Sequence, residues 1–345
     1  DSRTVQRGEL FWALKGDRFD GHDFASRAVL QGASGMVVQK DFPASLKNVP
    51  PIAVIAVDDT LRALGDLAAW WRRQHAAKVA AITGSSGKTT AKEMTAAILQ
   101  VGNKTLKNPG NHNNLIGLPV TLLKLEKTHQ RAVLEMGMNH KGEIARLTEI
   151  SNPDVAVILN VGMAHLEGLG NINGVAEAKT EMMGNLSPEA KIILNGDDEI
   201  LMKHAARFNR EFITFGLNEG NHIQGIDMER YGSDGMRFDL TCDGNSRPIT
   251  LGVSGVHNVK NALAAAAIGL SLDEPMEHIV KGLGSFSGVK GRFQSIPLQK
   301  DVLLIDDTYN ANPSALKAAL QSAAPMVKKD GRFFVGLGDM LELGE

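Results

Sequence analysis

The residues Gly84, Ser85, Ser86, Gly87, Lys88, Thr89 and Thr90 follow one another without a break, and their types suit a polyphosphate. Glycine permits backbone conformations closed to other residues, so successive N–H groups can turn inward around phosphate oxygens. Lys88 supplies a point charge to the outer phosphates, and the Thr89 hydroxyl suits a magnesium ion. That chemistry needs a strand before the loop and a helix after it. The apolar run Val79 to Ile82 reads as a short buried strand, and Ala91 to Leu99 as a helix whose positive end adds to the attraction for anions. A Ser/Gly-rich surface turn beside a chance lysine is the alternative, and the two flanking elements weigh against it. The spacing is unusual. An ordinary Walker A loop has four residues between its first glycine and the Gly-Lys pair, whereas here Ser85 and Ser86 alone separate Gly84 from Gly87.

Other groups can be placed around that loop. Arg131 to Gly137 reads as a buried strand ending in an acid, so Glu135 sits where a parallel sheet delivers ligand-binding groups; it is either a magnesium ligand or a strand-end acid in solvent. A further strand, Val155 to Asn160, runs into a glycine-rich loop that carries His165, either an ordinary loop histidine or a functional one. The predicted helix Gly174 to Asn185 puts Val175, Ala178, Lys179, Met182 and Met183 on one face, apolar except for Lys179. A lysine there either snorkels, or loses basicity through burial and takes up carbon dioxide as a carbamate, whose two oxygens and negative charge suit magnesium. Asparagine, glycine and proline punctuate Asn108 to Pro119, a loop before a helix expected over Val120 to Leu125. Gly255 to Leu270 reads as a polar cap, a role that suits Asn258, followed by an alanine-rich helix. Val302 to Ile305 reads as a strand ending in Asp306-Asp307, followed by a helix with Asn312 as cap and Pro313 in its first turn.

The 345 residues exceed what one core usually serves, so two or three domains are expected. The first segment, to about Ala77, alternates short strands and helices as a small α/β domain; the central domain starts near Val79. Lys191 to Leu194 and Glu211 to Phe215 continue the sheet, and His222 to Val253 reads as an antiparallel ribbon with turns at Gly232 to Gly235 and Asp243 to Asn245. With 43% hydrophobic and 22% charged residues the composition is that of a globular protein, and a net charge of −2 without a basic run argues against nucleic acid as a partner. No apolar stretch is long enough to span a bilayer, so no membrane partner is expected. The single cysteine, Cys242, fits a reducing cytoplasm. The chain opens on Asp1-Ser2-Arg3 without an initiator methionine and closes after what reads as a strand and its loop, so a piece of a longer protein is expected.

The compact loop TGSSGKTT, the phrase GVAEAKTEMM around Lys179 and the phrase DTYNANP from Asp307 resemble the Mur ligase family, ATP-dependent enzymes that join amino acids or peptides to cell-wall precursors. The stretches Leu10 to Phe24 and Gly338 to Glu345 are similar to the branch that joins D-alanyl-D-alanine to UDP-N-acetylmuramoyl-tripeptide. The resemblance implies an α/β, three-domain architecture: a small N-terminal UDP-substrate-binding domain over 1–77, a central P-loop parallel-sheet domain binding ATP over 78–291, and over 292–345 a linker and the start of a Rossmann-like C-terminal domain. It implies catalysis through an acyl phosphate, a monomeric protein, and a catalytic set of Lys88, Glu135, His165 and Lys179. Two magnesium ions would be held by Thr89, Glu135, His165 and the carbamate of Lys179. Asn258 and Asn261 would meet adenine, with His257 behind them; Arg292, in the linker phrase GVKGRFQ, would reach phosphate, and Asp307 the ribose. Ser2 and Arg3 would contact the uridine diphosphate, and Asn111 and Asn114 would face the substrate; simple surface and turn residues are the alternative for these four. A sister ligase adding a single amino acid, a folylpolyglutamate synthetase, or a non-catalytic nucleotide-binding module remain the rivals.

Overall fold

Short runs of valine, isoleucine and alanine build two separate parallel arrangements in a computed structural model, which describes residues 2–16, 18–42, 50–163, 166–232, 235–299, 302–328 and 330–340. The chain divides into two compact units, residues 1–70 and 71–345. In the first, Leu10–Trp12 (β1), Gly35–Gln39 (β2) and Ala53–Val57 (β3) form a parallel sheet in the order β1-β2-β3, with helix Ala25–Leu30 (α1) between the first two strands. Phe11, Ala13, Ala25, Ala28, Met36 and Val38 make its core. His22 ties the Lys15 to Asp20 turn to β2, pairing through Nδ1 with Asp20 and accepting at Nε2 from the Gln39 N–H. The following helix, Thr60–Arg73 (α2), leads into the second unit.

That unit holds a nine-stranded sheet. Its strands are Lys78–Thr83 (β4), Thr105–Lys107 (β5), Arg131–Glu135 (β6), Val155–Ile158 (β7), Lys191–Asn195 (β8), Ile213–Gly216 (β9), Ile223–Tyr231 (β10), Gly235–Cys242 (β11) and Asn245–Leu251 (β12), in the order β12-β11-β10-β9-β8-β7-β4-β6-β5. The pairings from β5 across to β10 are parallel. The expected antiparallel ribbon is β10–β12, and it extends the same sheet by pairing β10 beside β9. Asp243 and Gly244 both take positive φ at its second turn, as a tight hairpin requires. β4 lies between β6 and β7, so the chain turns to opposite sides of it, and the carboxyl ends of these three strands open on one crevice.

Helices cover the sheet: Lys88–Leu99 (α3), Gly117–Leu122 (α4), Glu143–Ser151 (α5), Leu166–Leu169 (α6), Ile172–Gly184 (α7), Glu199–Ala205 (α8), Val256–Ser271 (α9) and Met276–Gly284 (α10). α3 begins at Lys88 instead of Ala91, because Gly87 at φ 79° is its N-cap and places Lys88 and Thr89 in the first turn. α4 begins earlier than Val120 because the Asn114 side chain accepts from the Ile116 and Gly117 N–H groups and Pro119 is tolerated in a first turn. α9 is alanine-rich on nearly every face, and this lack of bulk lets it lie close to α3.

Beyond α10, Gln294–Pro297 (β13) pairs antiparallel with Leu303–Asp306 (β14), and Pro313–Ala323 (α11) follows with the expected cap, Asn312 accepting from the Ala315 N–H at 2.9 Å. The strand expected near the end of the chain is not formed over residues 331–340, which have no ladder partner among the described residues; Phe334 is 80% exposed.

α3 is held against α10 at Gly282, where an added Cβ would stand 2.4 Å from Ile98 Cα. Alanine improves helix propensity by roughly 1 kcal/mol, while overpacking against backbone costs about 1–3 kcal/mol. Gly282→Ala is therefore expected to destabilise the second unit, seen as a lower midpoint in urea unfolding; a raised midpoint would show that α3 and α10 separate freely.

Candidate active site

The loop after β4 is tied to the chain leaving β7. The Ser85 N–H donates to the Asn160 carbonyl at 3.1 Å, the Ser86 N–H donates to Asn160 Oδ1 at 2.9 Å, and Asn160 Nδ2 returns a bond to the Ser86 carbonyl at 3.1 Å. Ser85 Oγ donates to the Gly162 carbonyl and accepts from the Gly162 N–H. Two glycines are required by space: a Cβ on Gly84 would stand 2.9 Å from Leu159 Cβ, and one on Gly87 would stand 2.4 Å from Asn261 Oδ1. The loop therefore has a fixed shape at the positive end of α3, which makes it a seat for an anion.

Glu135, the last residue of β6, is 2% exposed and faces this loop. Its Oε2 accepts from Thr89 Oγ1 at 2.9 Å, and its Oε1 accepts from Asn113 Nδ2 at 2.8 Å. The backbone of the same residue is clamped by Asn108, whose Oδ1 accepts from the Glu135 N–H at 2.9 Å and whose Nδ2 donates to the Glu135 carbonyl at 3.0 Å. Two cationic side chains stand near. Lys92 Nζ, on a fully buried side chain, is 3.9 Å from Glu135 Oε2. Lys88 donates to the Gly84 carbonyl at 2.8 Å; desolvation pushes its pKa down, the Glu135 charge acts to raise it, and Arg292 adds to the lowering.

Lys179 is 2% exposed on the core face of α7, and its Nζ makes no hydrogen bond or ion pair with any described residue. Burial first, and the nearby Lys88 charge second, hold its ammonium well below the usual lysine range. The sequence-derived expectation of a buried amine is met. With 2% of the residue exposed, the stem is enclosed and an ammonium reaching well into solvent does not describe it.

Arg292 reaches the same place from the segment before β13. Its Nη2 donates to Thr89 Oγ1 at 3.1 Å, its guanidinium lies 4.1 Å over the Tyr309 ring, and its buried Nε has no partner. Asp307 accepts from the Phe293 N–H at 3.0 Å, and burial raises its pKa. Asn261 is buried over Gly87, whereas Asn258 is inside the first turn of α9, donating to the Ser254 carbonyl, with Gly255 as the cap. Ser86 and Thr90 are partly buried on the loop and α3. Asn111 is exposed, and Asn114 is engaged in starting α4. Ser2 and Arg3 belong to the first unit, Ser2 buried and Arg3 exposed. His165 lies outside the described residues.

The Thr89 hydroxyl and the Glu135 carboxylate are hard oxygen donors in contact beside the loop, a set that fits magnesium. Among the described residues no group of three or more His, Cys, Asp or Glu gathers to hold a metal. Such a pair suits an ion whose remaining positions are filled by phosphate and water.

The model of the Mur ligase middle domain matches residues 82–269, that of the Mur ligase family catalytic domain residues 1–72, and that of the Mur ligase glutamate ligase domain residues 291–345. UDP-N-acetylmuramoyl-tripeptide--D-alanyl-D-alanine ligase of Escherichia coli (strain K12) is 41% identical over all 345 residues, which span 74% of its length. The chain belongs to the Mur ligase family. Among solved structures, MurF from Acinetobacter baumannii superposes with a TM-score of 0.89 at 39% identity, covering 100% of this chain and 74% of that one. MurF ligase from Thermotoga maritima in complex with ADP gives 0.86 at 32% identity, covering 100% and 78%.

Four residues of this Mur ligase site escaped the sequence reading. Asn108 and Asn113 sit in the asparagine cluster, but spacing alone did not separate them from Asn111 and Asn114. Asn160 could have been found as the polar residue that ends a buried strand beside the loop. Lys92 carries the same signal as Lys179, a lysine on a buried helical stripe shared with Thr95, Ala96 and Leu99.

His257 packs its ring edge-on to Phe293, and Nδ1 meets Ser322 Oγ at 3.2 Å. Burial lowers its pKa to about 4. The unfolded chain then binds the extra proton first as pH falls, so stability is full above about 6.5 and declines toward 4, by up to ~1.4 kcal/mol per pH unit. Urea unfolding of His257→Gln across that range is expected to show a shallower decline than the parent; an identical slope would place the acid sensitivity elsewhere.

Proposed function

We propose that this protein is an ATP-dependent ligase that joins D-alanyl-D-alanine to UDP-N-acetylmuramoyl-tripeptide, working as a cytoplasmic monomer. The observation that carries the reading is identity of 41%, sustained over the whole chain, to an enzyme of that name. It includes the N-terminal unit, which a shared nucleotide site alone would not require. The ADP complex of the Thermotoga maritima relative supports ATP as the nucleotide. A lone cysteine and the lack, among described residues, of a helix long and apolar enough to cross a membrane accord with the proposed compartment. We divide the chain at 77/78 and 291/292, in keeping with β4 starting at Lys78 and the third family match starting at residue 291.

The chemical difficulty is to bring an anionic carboxylate to an anionic γ-phosphate. Loop N–H groups and Lys88 hold the phosphates, and Arg292 reaches them from the linker. Asn258 and Asn261 face adenine and Asp307 the ribose, while Ser2 and Arg3 hold the uridine diphosphate and Asn111 and Asn114 line the peptide side. Thr89 and Glu135 would hold one magnesium ion, and His165 with the Lys179 carbamate a second; these ions supply charge neutralisation as negative charge moves to the leaving oxygen. Lys179 is suited to carbamylation because burial and Lys88 favour its neutral amine. The lone pair forms an N–C bond to carbon dioxide and one proton leaves, turning the repulsion from Lys88 into attraction. A substrate carboxylate oxygen then attacks the γ-phosphorus and ADP departs. The dipeptide amine attacks the resulting acyl phosphate, losing a proton as phosphate leaves and the amide forms.

Phosphate release with ATP, magnesium and UDP-N-acetylmuramoyl-tripeptide is expected to require D-alanyl-D-alanine. Release with a single amino acid instead would move the protein to a sister branch, and no release with any pair would overturn the ligase reading. In the same assay Lys179→Ala is expected to lose about 100-fold or more, with partial recovery on adding short carboxylates; full activity in the variant would sink the carbamate.

A further inference from the structure

Lys92 is a fully buried lysine with no place in the reaction as derived. Burying an ammonium costs several kcal/mol unless it is paired and hydrogen-bonded, so its partners show what it organises. Its Nζ donates to the Asn108 carbonyl at 2.8 Å and the Gly110 carbonyl at 3.3 Å, and it pairs with Glu93 Oε1 at 3.2 Å. Two of these contacts hold the loop that follows β5. That same loop supplies the Asn108 clamp on the Glu135 backbone and the Asn113 bond to Glu135 Oε1. It is pinned at its far end as well, where the Gly137 N–H donates to the Asn113 carbonyl at 2.8 Å. The ammonium also faces Glu135 Oε2 directly, at 3.9 Å.

Lys92 and Thr89 lie one turn apart on α3, so a single helix presents a hydroxyl and an ammonium to the same carboxylate oxygen. We propose that Lys92 is the positioning residue of Glu135: by fixing the 108–113 loop and facing the carboxylate, it holds both oxygens in the orientation in which the site takes a divalent cation. The inference rests on the reading of Glu135 as a metal ligand. It assigns Lys92 no contact with substrate or metal. Glu93 pairs with the buried ammonium and is itself held by Lys107, which adds a further restraint on the Lys92 side chain.

The test measures binding of Mn2+ alone to the full chain by electron paramagnetic resonance, so that turnover is not the readout. Lys92→Met removes the ammonium and keeps an unbranched apolar stem one atom shorter; Lys92→Gln removes the charge while keeping an N–H donor and is the second variant should the first not fold. Loss of a residue that orients a metal ligand costs about 10- to 100-fold in metal affinity, and that loss is expected in either folded variant, in Asn113→Ala and in Glu135→Gln. Combining Lys92→Gln with Asn113→Ala is expected to cost less than the product of the two, because both act on one carboxylate. A lysine that served stability alone would lower the melting temperature and leave Mn2+ affinity within about twofold of the parent; with Glu135→Gln weakened, that result overturns the role of Lys92. Unchanged affinity in Glu135→Gln itself would remove Glu135 as a ligand, and the inference about Lys92 with it.

Discussion

A carboxylate that is almost wholly withdrawn from water, at the end of the strand beside the phosphate loop, sets the terms for the rest of the site. An ionised group so placed is tolerable when charge and hydrogen bonds replace its hydration. Glu135 has both: a hydroxyl on one oxygen, an amide on the other, and two lysines nearby. The partners are gathered from several elements. Thr89 and Lys92 come from α3, Asn113 from the loop after β5, and Arg292 bonds to Thr89 from the segment before β13. The sheet order that puts β4 between β6 and β7 is what brings these segments to one crevice.

The same arrangement fits the proposed chemistry. Three basic side chains, Lys88, Lys179 and Arg292, stand near the loop; burial lowers the pKa of Lys88 and of Lys179, with Arg292 adding to the lowering at Lys88 and Lys88 adding to it at Lys179. Cations packed this closely are unstable company until anions join them. ATP, and a carbamate on Lys179, would supply those anions, so nucleotide binding and the charge state of the site are parts of one balance. A site tuned in this way favours charge that develops during transfer over charge already present.

Much of this was readable from residue type and spacing. The glycines, Lys88 and Thr89 announced the loop because its flanks carried a strand and a helix pattern; Glu135 stood out at a strand end, and Lys179 as the polar member of an apolar stripe. What resisted reading were the residues whose role depends on which of several like neighbours turns inward. Asn111, Asn113 and Asn114 lie within four positions, and backbone geometry alone directs Asn113 to Glu135 while Asn114 starts α4. Helix starts shifted by a few residues where a glycine cap or a local side-chain hydrogen bond decided them, as at Gly87 and Asn114. The strand expected near the end of the chain is missing over residues 331–340 for another reason: they have strand character but no partner among the described residues to form a ladder.

The most direct test of the account is anomalous diffraction from Mn2+ in crystals grown with a non-hydrolysable ATP analogue. The account predicts a peak bonded to Thr89 Oγ1 or the Glu135 carboxylate as well as to phosphate oxygen, with the hydrogen bond between Thr89 and Glu135 opened. A peak held by phosphate and water alone, with that bond intact, would contradict it.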